Sequence, residues 1–531
     1  MRASPFHFLK NCALLLCLFA PSAWMIATVP PLWRDVDAYN QLTRDPLITT
    51  YWGHAPAYSY VAKVPLFLGE QIERWRGITV TNPESGLSPL TDTGVGLLVI
   101  LQHLALSGAA FYFILTISKF FWSRLALALA WASHALFYTF AHCVGSETLS
   151  VILIILAVAK GLRLMRSRGE PRWMDWYLFA IGLFLCLLSR HVNLWLILLL
   201  PAGYLISWAL HRGLFVFGGR IMRCRRRLGT RHLRYAVIAL AIGIACVAAA
   251  SSLTQRLARK TNLHPHSRIG YTFLWRLQFL KTQPPPARAA LLRKVAARTH
   301  SKEARQLVTL LEQMHEEGTE PRVGPFTQRA ILLLFPLETQ VPWKKLDLAL
   351  NQMAFAFLLP PTPEHLRAAR TDLVAALKMP VTDISDWLFV TTAYFFSHKD
   401  EMSACADLVT FRDASAETIN RIPFQHFYFH LWRDLTYNKV LVIWSVSLIG
   451  FVVVARRRKA NGAATSAYGI ALVAVGFMIA LTNVLLSEFL PRYALPMWQP
   501  LLLSLYTLIG TIADLVTIGK EKSAGQLPKL G

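Results

Sequence analysis

The sequence predicts an all-α protein: a polytopic transmembrane helical bundle of about ten helices carrying a large, mainly helical extracytoplasmic loop. Three observations predict it. Hydrophobic residues fill 54% of 531 positions and charged residues only 16%, with a mean hydropathy of +0.39, values that a soluble chain of this length rarely reaches. Apolar segments approaching the ~20 residues needed to cross a bilayer recur along the chain. The charge of the short links between them alternates, and that alternation assigns two faces.

The spans are predicted at 11–29, 92–118, 125–141, 146–162, 175–189, 192–210, 235–252, 438–455, 466–486 and 494–517. Ahead of the first, Arg2 and Lys10 precede an apolar run from Cys12 to Val29. This matches a signal peptide with small residues at Ala20 and Ala23, but the run is long enough to remain as an anchor, and the uncleaved helix is the preferred reading. With the N-terminus in the cytoplasm, the basic links all fall on the cytoplasmic face. They contain Lys119 and Arg124, then Lys160 to Arg172, then the arginines from Arg220 to Arg234, then Arg456 to Lys459, and finally Lys520 and Lys522. The opposite links, around 142–145, 189–193 and 487–493, carry few charges, as the positive-inside rule expects.

This topology divides the chain into an N-terminal transmembrane module (1–252) with its first outer loop at 30–91, an extracytoplasmic segment (253–437), and C-terminal transmembrane helices with a cytoplasmic tail (438–531). The middle segment is too long for a passive connector. Residues 289–314 alternate apolar and basic side chains at helical spacing, which predicts one amphipathic surface helix. Two apolar pieces, 346–359 and 386–396, fall short of spanning length and read as interfacial or re-entrant helices; if both cross, the count becomes twelve with parity kept.

The formal net charge of +25 is accounted for mostly by the cytoplasmic links, with a second share on 256–305 that suits anionic head groups or a lipid-linked phosphate. Nucleic acid is therefore not an expected partner. No GxxxxGK[ST] and no GxGxxG after a strand pattern occurs, which argues against ATP-driven work. The 7 cysteines are scattered without metal-like spacing and read as small buried hydrophobes. Cys143 and Cys405 alone fall on the predicted oxidising face, where a disulfide between them is the less favoured alternative.

Acidic residues are scarce, so the pair in WRDVDAYNQL (33–42) stands out. Asp35 and Asp37 form a DxD that can ligate a divalent cation such as Mg or Mn, or supply one carboxylate as a general base; in isolation a solvated loop is the favoured reading, and the position beside a membrane helix and interfacial aromatics shifts it. Tyr39, Tyr51 and Trp52 nearby suit a membrane interface. His54 follows in YWGHAPAYSY (51–60). Ser146 with Glu147, Arg190 with His191, and Arg492 with Tyr493 sit at predicted outer helix ends, where charged groups either snorkel or face a cavity. Taken together, five polar clusters would converge on one outer cavity. His426 and His430 at i,i+4 are weaker metal candidates that fit an aromatic belt better, and His264 with His266 is an equally weak metal signal.

The order DVDAY, GHAPAYSY, GSETLS and EFLPRYALP resembles the GT-C superfamily of polytopic membrane glycosyltransferases, in the bacterial group related to protein O-mannosyltransferases and lipid A aminoarabinose transferases. The resemblance covers 10–210 and 438–517. It implies a bacterial inner-membrane enzyme that transfers a hexosyl or pentosyl group from a polyprenyl-phosphate donor to a lipid, glycan or protein acceptor, with Asp35 or Asp37 as base or metal ligand. It also implies that Tyr39, His54, Glu147, Arg190, Arg492 and Tyr493 line the substrate site, Arg492 facing the phosphate. Many members carry Asp-Glu and His-Pro-Pro where this chain has Asp-Val-Asp and His-Ala-Pro. The alternatives are a polysaccharide polymerase or ligase, and a lipid or glycan transporter with no chemistry of its own.

Overall fold

The computed structural model describes residues 5–33, 36–45, 56–80, 87–167, 170–211, 226–260, 269–319, 323–339, 341–379, 381–397, 403–405, 408, 440–457, 460–487 and 495–523. Among them are 20 α-helices and one short parallel strand pair. The chain is all-α, as its composition predicts. Seven described helical segments are long and apolar enough to cross a membrane: Phe8–Thr28, Asp92–Ile117, Ser146–Arg166, His191–Leu210, Arg231–Leu257, Gly462–Leu486 and Leu495–Ile518. Trp173–Ser189 and Val440–Ala455 are apolar but shorter.

Helix α1 (Pro5–Thr28) leads into strand β1 (Leu32–Trp33) and the short helix α2 (Val36–Thr43). Helix α3 (Ala57–Trp75) then packs along α4 (Asp92–Ile117). Close approach of these two depends on glycine: a Cβ at Gly69 would overlap the backbone of Gly94. Thr91 starts α4, its hydroxyl accepting the Gly94 N–H at 3.1 Å, and Asp92 sits in the first turn, where a negative charge suits the helix dipole.

The apolar stretch 125–141 does not form the single span its hydropathy predicts. It is divided into α5 (Phe121–Ala132) and α6 (Ala135–Ala141). Ser133 closes α5, donating its hydroxyl to the Ala130 carbonyl at 2.9 Å, and His134 leaves the helix with ψ of 108°. Strand β2 (Cys143–Val144) and helix α7 (Ser146–Arg166) follow. Helix α7 carries Glu147 in its first turn and Arg163 and Arg166 in its last, each on the favoured end of the dipole. Helix α8 (Trp173–Ser189) returns, and the stretch after it begins as a 3₁₀ turn (His191–Leu198) before becoming α9 (Leu199–His211). Helix α10 (Arg226–Lys260) completes this half of the bundle, packed against α8 and α9.

Between residues 269 and 358 the chain builds a second apolar core from α11 (Ile269–Arg276), α12 (Pro285–Arg298), α13 (Lys302–Glu316), α14 (Val323–Leu334) and α15 (Trp343–Leu358). The periodic stretch 289–314 is thus two helices rather than one. Thr299 ends α12, and Ser301 caps α13 by accepting the Ala304 N–H at 3.1 Å. Its apolar side chains Leu292, Val295, Leu307 and Leu311 face the lobe core. Segment 346–359 is an internal helix of the same lobe: Leu350, Met353, Ala354 and Phe357 are all buried there. Helix α16 (Pro363–Lys378) links the two cores, with Ala368 against the lobe and Leu373 and Leu377 against the bundle.

Segment 386–396 belongs to α17 (Val381–Ser397), which packs on β1 and α6. Three further helices, α18 (Val440–Arg457), α19 (Ala460–Leu486) and α20 (Leu495–Ser523), pack on one another, and α19 also lies along α9. Neither Cys143 nor Cys405 takes part in a disulfide, and both are buried.

Candidate functional site

The parallel strand pair organises the site. Leu32 stands beside Cys143 and Trp33 beside Val144, so β1 ends at the place where β2 turns into helix α7. Helix α17 fixes this strand from the other side. The Trp33 N–H donates to Thr392 Oγ1 at 2.8 Å, and Phe395 stacks on the Trp33 ring at 4.9 Å. Tyr39, one turn along α2, is buried, and its hydroxyl accepts the Ala404 N–H at 3.1 Å. Asp37 lies on α2 with its side chain outside the described residues, and Asp35 is outside them altogether.

Helix α3 brings the second sequence motif to the same point. His54, Tyr51 and Trp52 lie outside the described residues, but Tyr58 of the same stretch is buried. Its hydroxyl donates to Gln102 Oε1 at 3.2 Å and accepts the Gly145 N–H at 2.9 Å. Gln102 in turn donates to the carbonyls of Ala141 at 3.0 Å and Cys143 at 3.2 Å. One tyrosine and one glutamine thereby satisfy the irregular backbone between α6 and α7, which an apolar bundle could not leave unpaired. Gln102 lies about 15 Å along α4 from Asp92, at ~1.5 Å per residue. The start of α7 is therefore recessed below the end of α4.

Glu147 and Arg190 meet at that recessed level. Their side chains form an ion pair at 3.1 Å, the carboxylate only 1% exposed and the guanidinium 16%. A charge this deep is tolerated because its partner is opposite in sign and close. Asn193 braces the same corner, its Nδ2 donating to Ser150 Oγ at 2.9 Å and the Cys186 carbonyl at 2.8 Å. Helix α20 approaches from the far side through Gln499, which donates to the Val151 carbonyl of α7 at 2.8 Å. Arg492 and Tyr493, just before α20, lie outside the described residues, as do His264, His266, His426 and His430.

Two buried histidines complete the network. His103 Nδ1 is 2.9 Å from Ser22 Oγ, His103 Nε2 is 3.0 Å from His142 Nδ1, and His142 Nε2 is 2.8 Å from the Val29 carbonyl. A carbonyl only accepts, so His142 Nε2 carries a proton. With both rings neutral, His142 Nδ1 then accepts from His103 Nε2, and His103 Nδ1 accepts from the Ser22 hydroxyl. The chain of bonds anchors the last turn of α1 directly ahead of β1. Sequence reasoning singled out neither histidine, nor Tyr58 or Gln102; the available signal was an ionisable or amide side chain inside a spanning-length apolar run.

Among the described residues no three His, Cys, Asp or Glu side chains stand together as a metal site. Of the sequence-predicted site residues the structure pairs Glu147 with Arg190, whereas Tyr39 is hydrogen-bonded to Ala404. No protein-family model matches the chain, and no curated protein matches it either. Fold and composition define its class: a polytopic helical membrane protein with a polar site recessed at one end of the bundle.

Proposed function

We propose that the protein is a GT-C-type membrane glycosyltransferase, moving a hexosyl or pentosyl group from a polyprenyl-phosphate donor to a lipid, glycan or protein acceptor on the extracytoplasmic face. The observation that carries this reading is the buried Glu147–Arg190 ion pair at the start of α7, the helix that follows β2, the strand paired with β1. In this reading the N-terminus is cytoplasmic, the bundle has about ten spans in a bacterial inner membrane, and the recessed end faces outward. The alternating link charges support that orientation.

The reaction needs a proton removed from the incoming hydroxyl and charge stabilisation on the departing phosphate. Asp35 or Asp37 takes the proton. The acceptor oxygen then bonds to the anomeric carbon as the bond to the phosphate oxygen breaks, and polyprenyl phosphate leaves. Arg492 and Arg190 are the cations offered to that phosphate, with Tyr39, His54, Glu147 and Tyr493 as the remaining substrate contacts. A divalent cation, if the enzyme uses one, would be held by Asp35 and Asp37 and would supply further charge stabilisation to the phosphate.

The test is transfer in proteoliposomes from a radiolabelled polyprenyl-phosphate sugar, with envelope extract as acceptor source. Asp35→Asn and Asp37→Asn are made individually, and at least one is expected to lower turnover by about 100-fold or more, the scale of a lost general base. Full activity in both would sink the proposed chemistry.

A further inference from the structure

At the opposite end of the bundle, helices α8, α9 and α10 close around a group of aromatic and cationic side chains that the proposed chemistry does not use. Tyr204 on α9 is packed between Tyr235 at 5.5 Å, His232 at 6.1 Å and Trp176 at 6.4 Å, ring centre to ring centre. Arg231 lies over the Tyr235 ring at 5.2 Å and donates from Nε to the Tyr235 hydroxyl at 3.2 Å. The Tyr204 side chain is almost wholly enclosed, at 2% exposure, yet its hydroxyl has no hydrogen-bond partner among the described residues. A buried hydroxyl left unpaired costs about 1–3 kcal/mol, so a group from outside the chain is the economical partner.

The surroundings specify what that group is. Arg231, His232 and Arg234 lie on one helix, and Lys160 and Arg163 of α7 stand against Asp175, the residue before Trp176. Asp175 and Glu170 are the acids that pair with this cluster: Asp175 stands 3.1 Å from Lys160 and 3.9 Å from Arg163, and Glu170 stands 3.8 Å from Arg234. Away from the cluster, the two helices that flank it turn apolar side chains outward: Val237, Leu240 and Ile244 on α10, and Tyr177, Leu178 and Ile181 on α8. These lie within or beside the spanning segments and face the bilayer. A ligand that fits is anionic at one end and apolar along its length.

We infer that the α8–α9–α10 seam is a binding site for the phosphate head group of an anionic membrane lipid, with Arg231 and the Tyr204 and Tyr235 hydroxyls as its ligands. The acyl chains then lie along the Val237–Ile244 and Tyr177–Ile181 stripes. A cation beside the head group contributes on the scale of ~1 kcal/mol, about fivefold in affinity, and the hydroxyls select the phosphate oxygens.

The full chain, purified in neutral detergent, is titrated with phosphatidylglycerol or phosphatidylcholine and bound lipid is counted by native mass spectrometry. The expected result is preferential retention of phosphatidylglycerol, weakened about fivefold by Arg231→Gln and measurably by Tyr204→Phe, which removes one oxygen and keeps the packing. Equal retention of the two lipids, or phosphatidylglycerol binding unchanged in both variants, overturns the site. Competition by millimolar inorganic phosphate, with no dependence on the acyl chains, identifies a free phosphate as the ligand and overturns the lipid assignment. Melting temperatures measured alongside separate loss of the site from loss of the fold.

Discussion

The end of the bundle around β1 and β2 and the core of the lobe bury their polar groups by opposite rules. In the bundle, Ser22, His103, His142, Tyr58 and Gln102 satisfy one another and the backbone between α6 and α7. In the lobe, His365 is fully enclosed between the rings of Phe273 at 5.7 Å and Phe279 at 5.9 Å, and neither ring nitrogen has a hydrogen-bond partner among the described residues. Arg276 beside it is paired with Asp372. Hydrogen-bonded polar groups fix one arrangement of the bundle end, whereas the lobe core holds an imidazole whose burial favours the uncharged form. The bundle end should therefore respond to mutation, and the lobe to pH.

The largest effect is expected at the buried ion pair. Arg190→Met removes the cation facing a 1% exposed carboxylate and should cost ~3 kcal/mol in unfolding stability, with most of it regained in the Glu147→Gln/Arg190→Met double variant. A melting temperature unchanged in the single variant would break the contrast at its strong end. Next is the lobe. Burial, reinforced by the Arg276 cation, holds the His365 pKa down to about 4. The unfolded ring takes up a proton as pH falls through ~6.5 while the folded one does not, so lobe stability is fully present above that pH and is lost as pH falls toward the folded value, by ~1.4 kcal/mol per unit. Hydrogen-exchange protection factors across 269–378, corrected for the intrinsic pH dependence of amide exchange, should fall between pH 7 and pH 5, and His365→Phe should flatten that dependence.

A smaller effect is expected from His142→Phe, which strands His103 Nε2 and the Val29 carbonyl. It should destabilise the protein by ~2 kcal/mol, with faster exchange at residues 25–33 and no change in the lobe. The smallest is Ser301→Ala, which removes the α13 cap at a cost of ~1 kcal/mol. Its exchange signature should remain within the lobe. Spread of that signature into α7 would show that the two cores unfold as one.

Much of the architecture was legible because membrane spans are encoded locally: a run such as 466–486 is apolar for the whole thickness of the bilayer and appears as α19. The break at Ser133–His134 was not legible, since WASHALFYTF keeps the hydropathy of a continuous helix and the interruption follows from hydrogen bonds to Trp131 and Ala130. The break before α13 was readable in principle, because Ser301 followed by Glu303 is a helix-start pattern. Of the site, Glu147 and Arg190 were found from their positions at helix ends, and the structure joins them. The histidine pair was missed because 39 residues separate its members, and no periodicity links one apolar helix to the irregular end of another. Asp35, His54, Arg492 and Tyr493 lie outside the described residues, so for them the reading rests on the neighbours that surround their segments.

The hydrogen bonds from Ser22 to Val29 have a further consequence. Facing imidazoles inside a membrane bundle are the ordinary material of a proton conductor. Here the last acceptor is a peptide carbonyl, which has no proton to pass on. The line of rings thus ends on the backbone, and its part is to brace the end of α1 ahead of the first loop.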